Sequence, residues 1–487
     1  MEKLIQLSKI WKENLFSPSS GVLSFWTNFS LDSKFGGYFT CLDHDGSIYD
    51  DTKYSWLQGR QVYMFARLYN ETNDVFGVTD EVRATYLQAA SLGVDFLNTA
   101  KDENNILYFS TTRDGSHKLH LQRKPYSAVF YVQGMLEYYR ALIKYRREIV
   151  KTTSKSENVT AIDSTTTSKT TNLAAATTPT LPPPAEHLSN PEQFFGIALD
   201  MFDRLLAWIE DSSLCGRPKV QAPPSSKGTT ALADIMCAAS LALDFIQVID
   251  EEKEENREQE EQSKALYQKH QQLRPRFIEI IRSAMKNCLR HYDTRNNRNI
   301  FLESVSGTGI SSNTPSGRLF CPGHSIEVAW FLFKMCDVVG SSQEYEHIAL
   351  SVLEGSLKNG WDKDEYGGGI VYMKDIENKP LVDATVTSNG KLWWPHTEAL
   401  IALTMAYTRT KDDKWLVWLE KVHNYSYKTF VTVKINESTK IGEWFGYANR
   451  DGTLARTSKG GNYKGCFHVP RALLMCIQEV DKFLKDH

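Results

Sequence analysis

The sequence predicts an all-α fold, a toroid of two concentric rings of six helices: an (α/α)6 barrel. Three observations carry this reading. Apolar residues recur at three- and four-residue spacing in twelve segments. Strand signals are confined to short hairpins between those segments. The hairpins fall after an odd-numbered segment and before an even-numbered one, a weak helix, hairpin, helix repeat. Six such units close into a toroid; an open helical solenoid is the structural alternative.

The first periodic segment covers 3–29 and leads into Gly37–Leu42, which turns at Asp45-Gly46. Asp-Gly is a favoured two-residue turn because Gly tolerates positive φ. Segments 56–71 and 80–99 follow, then Leu107–Ser110 turning at Asp114-Gly115, then segment 126–150. The middle of the chain holds 190–210, 229–250, 264–292, 324–339 and 342–358. Gly369–Met373 reads as a strand before 396–410 and 413–431, and Trp444–Tyr447 turns at Asp451-Gly452 before 468–485. Asp32-x-x-x-Gly36-Gly37 and Asp362-x-x-x-x-Gly367-Gly368 open two hairpins with similar chemistry. Residues 152–189 are Ser/Thr/Ala/Pro-rich and nearly free of aromatics. They cannot bury enough apolar surface to offset their ordering entropy, so they read as a flexible insertion within one 1–487 catalytic unit. The run Asp250–Glu261 is mostly acidic, a solvated helix end or an exposed linker.

Composition excludes several functions. The 487 residues carry 56 Lys+Arg against 59 Asp+Glu, so no basic surplus serves nucleic acid or an anionic membrane surface. No apolar run reads as approaching the roughly 20 residues of a membrane span. The first ten residues form an amphipathic pattern broken by charge, unlike a signal-peptide block. Eight scattered cysteines without a C-x-x-C pair fit a reducing cytosol, so a cytoplasmic location is expected.

In a toroid of this kind the even-numbered helices point the same way, and their N-termini meet at one rim. Trp56-Leu57-Gln58-Gly59-Arg60-Gln61 opens the second helix and Pro322-Gly323-His324-Ser325-Ile326-Glu327 the eighth. Trp393-Trp394-Pro395-His396-Thr397-Glu398 opens the tenth, and Lys464–Arg471, with His468, the twelfth. Converging helix N-termini place partial positive charge at the rim, which suits a developing oxyanion. A lone histidine more often serves structure than chemistry. Three at equivalent points of a repeat argue for a shared site. The His324/Glu327 pair also reads as a same-face helix contact, and Arg at a helix start is common. Trp393-Trp394 reads either as core packing or as a platform for a sugar ring. His324, Glu327, His396, Glu398 and His468 are donors enough for zinc or manganese, but none stands in an H-E-x-x-H motif. Their Trp and Phe neighbours suit a sugar better, and no metal is expected. Phosphate-cradling G-x-x-x-x-G-K-[ST], G-x-G-x-x-G after a strand, and G-x-S-x-G are all missing.

Tyr54–Arg60 (YSWLQGR), Pro322–Glu327 (PGHSIE), Lys391–Glu398 (KLWWPHTE), Glu443–Tyr447 (EWFGY) and Lys459–Arg471 (KGGNYKGCFHVPR) resemble the N-acylglucosamine 2-epimerase, or renin-binding protein, family. The resemblance runs from about Phe25 to Cys476, interrupted by 152–189. It implies an (α/α)6 barrel that interconverts N-acetylglucosamine and N-acetylmannosamine, an amino-sugar step of sialic acid metabolism, with no cofactor consumed. It also implies a homodimer, ATP as an allosteric effector and, by the family's second name, a renin-like protease as partner. Epimerisation at C2 asks for two groups that titrate near neutrality, one on each face of the carbon. By resemblance these catalytic histidines are His324 and His468. Arg60 is carried over as a substrate-pocket residue facing the enolate oxygen, with Trp56, Glu327, Trp394, His396 and Glu398 as further pocket residues that orient hydroxyls or the histidines. The chain departs from the family pattern after Gln122-Arg123 (Tyr126–Phe130), after Gly216-Arg217-Pro218 (Lys227–Ala231) and before Lys391 (Thr385–Asn389). Rival readings are an aldose–ketose isomerase of the same fold and a non-catalytic sugar- or protease-binding barrel. A glycoside hydrolase is a poorer fit, because it needs two carboxylates flanking the bond and this rim is rich in histidine.

Overall fold

The computed structural model describes every residue except 74–75, 122–125, 160–182, 212–213, 215–228, 256–260, 312, 341, 382–388, 432–441 and 487. Its helices in chain order are α1 (Glu2–Phe16), α2 (Val22–Phe29), α3 (Ser55–Glu71), α4 (Asp80–Thr99) and α5 (Tyr126–Val159). Then come α6 (Ala185–Ser189), α7 (Glu192–Glu210), α8 (Leu232–Glu255), α9 (Glu261–Gln271) and α10 (Arg274–Cys288). The last are α11 (Pro322–Val339), α12 (Gln343–Gly360), α13 (Trp393–Thr410), α14 (Asp413–Ser426) and α15 (His468–Lys485).

Helices α3, α5, α8, α11, α13 and α15 pack side by side in that order as the inner ring. Gln478 of α15 closes it by donating to Glu71 of α3 at 2.9 Å. Each inner helix is backed by the outer helix that follows it: α4 on α3, α7 on α5, α10 on α8, α12 on α11 and α14 on α13. The chain's start, α1, backs α15 and completes the outer ring. This is the (α/α)6 barrel the periodicity predicts.

Two of the twelve segments are broken. Segment 3–29 divides between α1 and α2 around Pro18, and 264–292 divides at Pro275, which sits in the first turn of α10. Proline has no N–H to continue a helical ladder. Segment 232–252 corrects the expectation about apolar runs. Leu232–Glu252 is 21 residues long and by length and composition apolar enough to cross a membrane, but half of its apolar window is buried within the protein. It is the inner-ring helix α8. A helix with neighbours on both sides and a backing helix behind it is apolar nearly all round.

The hairpins expected at Asp45-Gly46 and Asp114-Gly115 form, Cys41–Leu42 pairing with Ile48–Asp50 and Ser110–Thr111 with Lys118–His120, and further strands pair between units. Lys53–Tyr54 pairs with Ser110–Thr111, Thr229–Ala231 with Ser304–Ser306, Leu319–Phe320 with Lys374–Asp375, and Lys391–Leu392 with Tyr447–Ala448, all antiparallel. Gly369–Met373 contributes only isolated bridges, Ile370 to Trp361 and Val371 to Lys391. Each pairing joins the extended residues entering an inner helix to the loop of the next unit. It satisfies their backbone groups and fixes the height of each helix start around the rim. The two Asp…Gly-Gly motifs belong to this belt. Asp32 accepts from buried Lys53 at 2.9 Å and from Arg113 of the next unit at 2.8 and 3.1 Å. Asp362 accepts in the same way from buried Lys391 at 2.7 Å and Arg450 at 2.8 and 2.9 Å. Burial would raise the Asp362 carboxyl, but hydrogen bonds from Arg450 and Lys391 outweigh it and hold it at about 2.

The span 152–189 is too wide at both ends. Helix α5 continues to Val159, and α6 is ordered because His187 is buried against the Tyr138 hydroxyl at 3.0 Å. The remainder, 160–182, lies outside the described residues, as do Gln122-Arg123, Gly216–Pro218 and most of Thr385–Asn389. Cys41, Cys288, Cys321, Cys336, Cys466 and Cys476 form no disulfide.

Candidate active site

The inner-helix N-termini surround a cavity of about 580 Å³. Helix α3 supplies Trp56 and Arg60, α11 supplies His324 and Glu327, α13 supplies Trp394, and α15 supplies His468 and Arg471. Two glycines allow the approach. A Cβ on Gly59 would stand 2.4 Å from the Phe130 carbonyl oxygen, so only glycine lets α3 close on α5 and bring Arg60 against Phe130. A Cβ on Gly323 would stand 2.5 Å from the Trp394 ring, which packs beside His324.

His324 Nδ1 lies 3.0 and 3.1 Å from the two carboxylate oxygens of Glu303. His468 Nδ1 lies 2.8 Å from Glu398 Oε1. An ionised carboxylate only accepts, which assigns the proton to Nδ1 in both rings and leaves each Nε2 for the cavity. The charge states differ. Burial lowers the His324 pKa, but the negative charge of Glu303, with Cys321, outweighs it and holds the imidazole well above its usual range. At His468 burial comes first, and the positive charges of Arg60 and Arg471 add to it, so the ring sits well below its usual range. At neutral pH the first is an imidazolium and the second a neutral imidazole. The Trp394 ring lies between them, with centroids 5.0 Å from His324 and 5.9 Å from His468.

The Arg60 guanidinium is boxed by Trp56, Phe130 and Phe467 at 4.5, 4.0 and 4.6 Å from their ring centroids. Its Nε has no partner and it joins no ion pair among the described residues. Burial, then Arg471, pull its pKa down to about 9. A buried, unpaired cation that opens onto a cavity is costly alone and suits a partner that is or becomes negative. Arg471 is instead neutralised: its Nη2 donates to Glu398 at 2.6 Å and to Glu327 at 3.1 Å.

Two of the expected pocket residues do not line the cavity. His396 is fully buried; its Nδ1 donates to the Leu392 carbonyl at 2.6 Å and its Nε2 accepts the Ile370 N–H at 2.9 Å. With both nitrogens bound to backbone, and burial pushing its pKa down to about 3, it is a structural residue. Glu398 is also fully buried, under His468 and Arg471, and acts on the histidine and not on a ligand. Sequence reasoning missed Glu303 and Arg471. Arg471 carries a signal, being three residues after His468 on the same helical face. Glu303 carries none. Its backbone is held between two rim strands, its N–H on Leu319 and its C=O on Leu232, both at 3.0 Å. Glu303, Cys321 and His324 also place potential metal-binding atoms within 4.8 Å of one another. The imidazole nitrogen on that side is already bonded to Glu303, so the cluster is satisfied by its own hydrogen bonds.

The inner-ring rim of this (α/α)6 barrel thus bears two carboxylate-bound histidines, an aromatic box and an arginine without an ion-pair partner among the described residues. Solved structures share the fold. Cellobiose 2-epimerase from Spirochaeta thermophila superposes with a TM-score of 0.66 at 17% identity, covering 99% of this chain and 98% of that one. A D-mannose isomerase superposes at 0.64 and 16%, covering 97% of each. The family profile for N-acylglucosamine 2-epimerase (GlcNAc 2-epimerase) matches residues 37–185 and 258–472. Human N-acylglucosamine 2-epimerase is 31% identical across 98% of this chain and 91% of its own, and the rat protein 30% across 100% and 95%. The chain belongs to the N-acylglucosamine 2-epimerase family.

Proposed function

We propose that the chain interconverts N-acetylglucosamine and N-acetylmannosamine by moving the C2 proton of the open-chain sugar between two histidines. The observation that carries this is the pair of imidazoles lining one cavity beside Trp394, each held through Nδ1 by a glutamate. The C2 proton is acidified by the C1 aldehyde. Neutral His468 Nε2 takes it from one face, and the electron pair passes through C1=C2 onto the carbonyl oxygen. Arg60 faces the resulting enolate oxygen with its unpaired guanidinium. His324 then delivers its Nε2 proton to C2 from the opposite face, inverting the centre. The reverse reaction exchanges the roles. Protons balance and no electron is gained or lost, so no cofactor is consumed.

Trp56 and Trp394 provide apolar faces for the sugar ring, and Glu327 is placed beside Arg471 to meet a hydroxyl. A homodimer and activation by ATP enter this reading from the family resemblance, and a renin-like protease partner from the family's second name alone. The unpaired thiols support a reducing compartment, the cytoplasm. The test is incubation of the purified chain with N-acetylmannosamine, with and without ATP. The expected product is the acetamido aldose inverted at C2. A ketose would assign an aldose–ketose isomerase, and no turnover in either condition would assign a binding protein.

A further inference from the structure

Glu303 lies outside every motif singled out in the sequence, yet both its carboxylate oxygens face one nitrogen of His324. We infer that Glu303 is the positioning residue that makes His324 the proton donor of the resting enzyme, so that the two histidines are not interchangeable before substrate arrives. This rests on the two-histidine reading of the site and adds to it the residue that sets the direction of the proton.

Geometry carries the assignment. The carboxylate is 15% exposed and held at 3.0 and 3.1 Å from Nδ1, which fixes the ring with Nε2 toward the cavity. No hydrogen bond from a cation reaches Glu303 among the described residues; His291 and Tyr126 also feel its charge, but the hydrogen bonds of its carboxylate go to His324. Glu398, the equivalent partner of His468, is shared with Arg471 at 2.6 Å and with the Trp330 indole N–H at 3.1 Å. The other titratable groups around His324 are Cys321 at the start of its helix, Glu327 one turn on, Tyr126 from α5 and His468 from α15. None of these side chains is removed when Glu303 is substituted; Tyr126, which also feels the Glu303 charge, titrates above the histidine range in either case. A shift seen on substitution therefore belongs to Glu303.

The test is Glu303→Gln in the full chain, with activity measured across pH. Gln keeps a carbonyl oxygen that can accept from Nδ1, so the ring's orientation survives while the charge is removed. His324 must be protonated to donate, so the alkaline limb of the profile reports its deprotonation. Loss of the carboxylate should move that limb downward by about one to three pH units, with KM within about twofold. Glu303→Asp keeps the charge on a shorter arm; it should lower kcat and leave the limb at its wild-type position. A limb unmoved in Glu303→Gln, whatever the fall in kcat, overturns the inference, as does a limb displaced equally in Glu303→Asp. Nitrogen-15 histidine NMR titration of both variants reads the same ionisation without turnover. If the wild-type chain did not epimerise, the functional reading would fail, and the NMR shift would still decide the role of Glu303.

Discussion

His324 and His468 occupy matching places in two units of the same repeat, and each presents Nδ1 to a glutamate. Their surroundings are opposite. Among the described residues Glu303 hydrogen-bonds His324 and no cation, whereas Glu398 is shared with Arg471 and Trp330, and Arg60 adds a second positive charge near His468. The same imidazole–carboxylate pair thus yields an acid on one side of the cavity and a base on the other. What the carboxylate does elsewhere decides which. This is the pattern expected of an acid–base pair whose environments push two titrations apart.

The comparison breaks most visibly if one histidine is removed. His468→Asn should lower epimerisation by about 10²–10⁴-fold, the usual loss for a general base. Slow exchange of the C2 proton of one epimer with solvent deuterium should survive through the minor neutral form of His324, and should rise with pH as that ring deprotonates. His324→Asn should show the complementary exchange with the other epimer. Near-full epimerisation in both variants would sink the two-base mechanism. Arg60→Met tests the charge that both faces share. It should cost about 10²–10³-fold in kcat in both directions, as loss of an oxyanion donor does, with exchange by either face slowed alike. An effect confined to KM would place Arg60 in ground-state binding only.

Acidity sharpens the comparison further. The productive form needs His468 neutral and His324 protonated. The His468 pKa is depressed, so the acid limb lies below the usual histidine range; the His324 pKa is raised, so the alkaline limb lies above it. The expected profile of kcat/KM is a plateau flat across neutrality with limbs on both sides. A narrow bell centred on the usual histidine pKa would mean that the two environments do not separate the rings.

Much of this was legible before any coordinates. The helices follow from apolar spacing, because an inner helix needs neighbours on several sides and an outer helix needs one apolar stripe; closing them into a barrel rather than a solenoid took the helix, hairpin, helix repeat and the family resemblance. The repeat puts His324, His396 and His468 at helix starts on one rim, and the family resemblance singles out His324 and His468 among them. Glu303 was hidden because backbone pairing between distant segments delivers it, and nothing local marks a residue in the bend before a rim strand as facing a helix start 21 residues on. His396 was misread for a simpler reason. It stands two residues after Trp394, and at about 100° per residue its ring points roughly 200° away from the cavity that Trp394 faces. Glu398 is four residues after Trp394, back on the inner face but one turn deeper, which places it beneath His468.

His396 therefore provides the smallest effect and a control on the other two histidines. His396→Asn should leave kcat/KM within a few-fold of wild type, since neither ring nitrogen reaches the cavity. Its cost falls on stability. The shorter side chain leaves the Ile370 N–H and the Leu392 carbonyl poorly paired in a buried place, worth about 1–3 kcal/mol at neutral pH. The pH dependence has a definite sign. The folded-state pKa, about 3, lies below the unfolded value near 6.5, so the neutral ring contributes fully above about pH 6.5. That contribution declines as pH falls toward 3, because the unfolded chain binds a proton that the folded one refuses. The gap in urea midpoint between wild type and His396→Asn should accordingly be largest at pH 7 and shrink on acidification. A gap that stayed constant with pH would mean the ring binds its proton equally well in the folded and unfolded chain, and a collapse of kcat with unchanged stability would return His396 to the catalytic site.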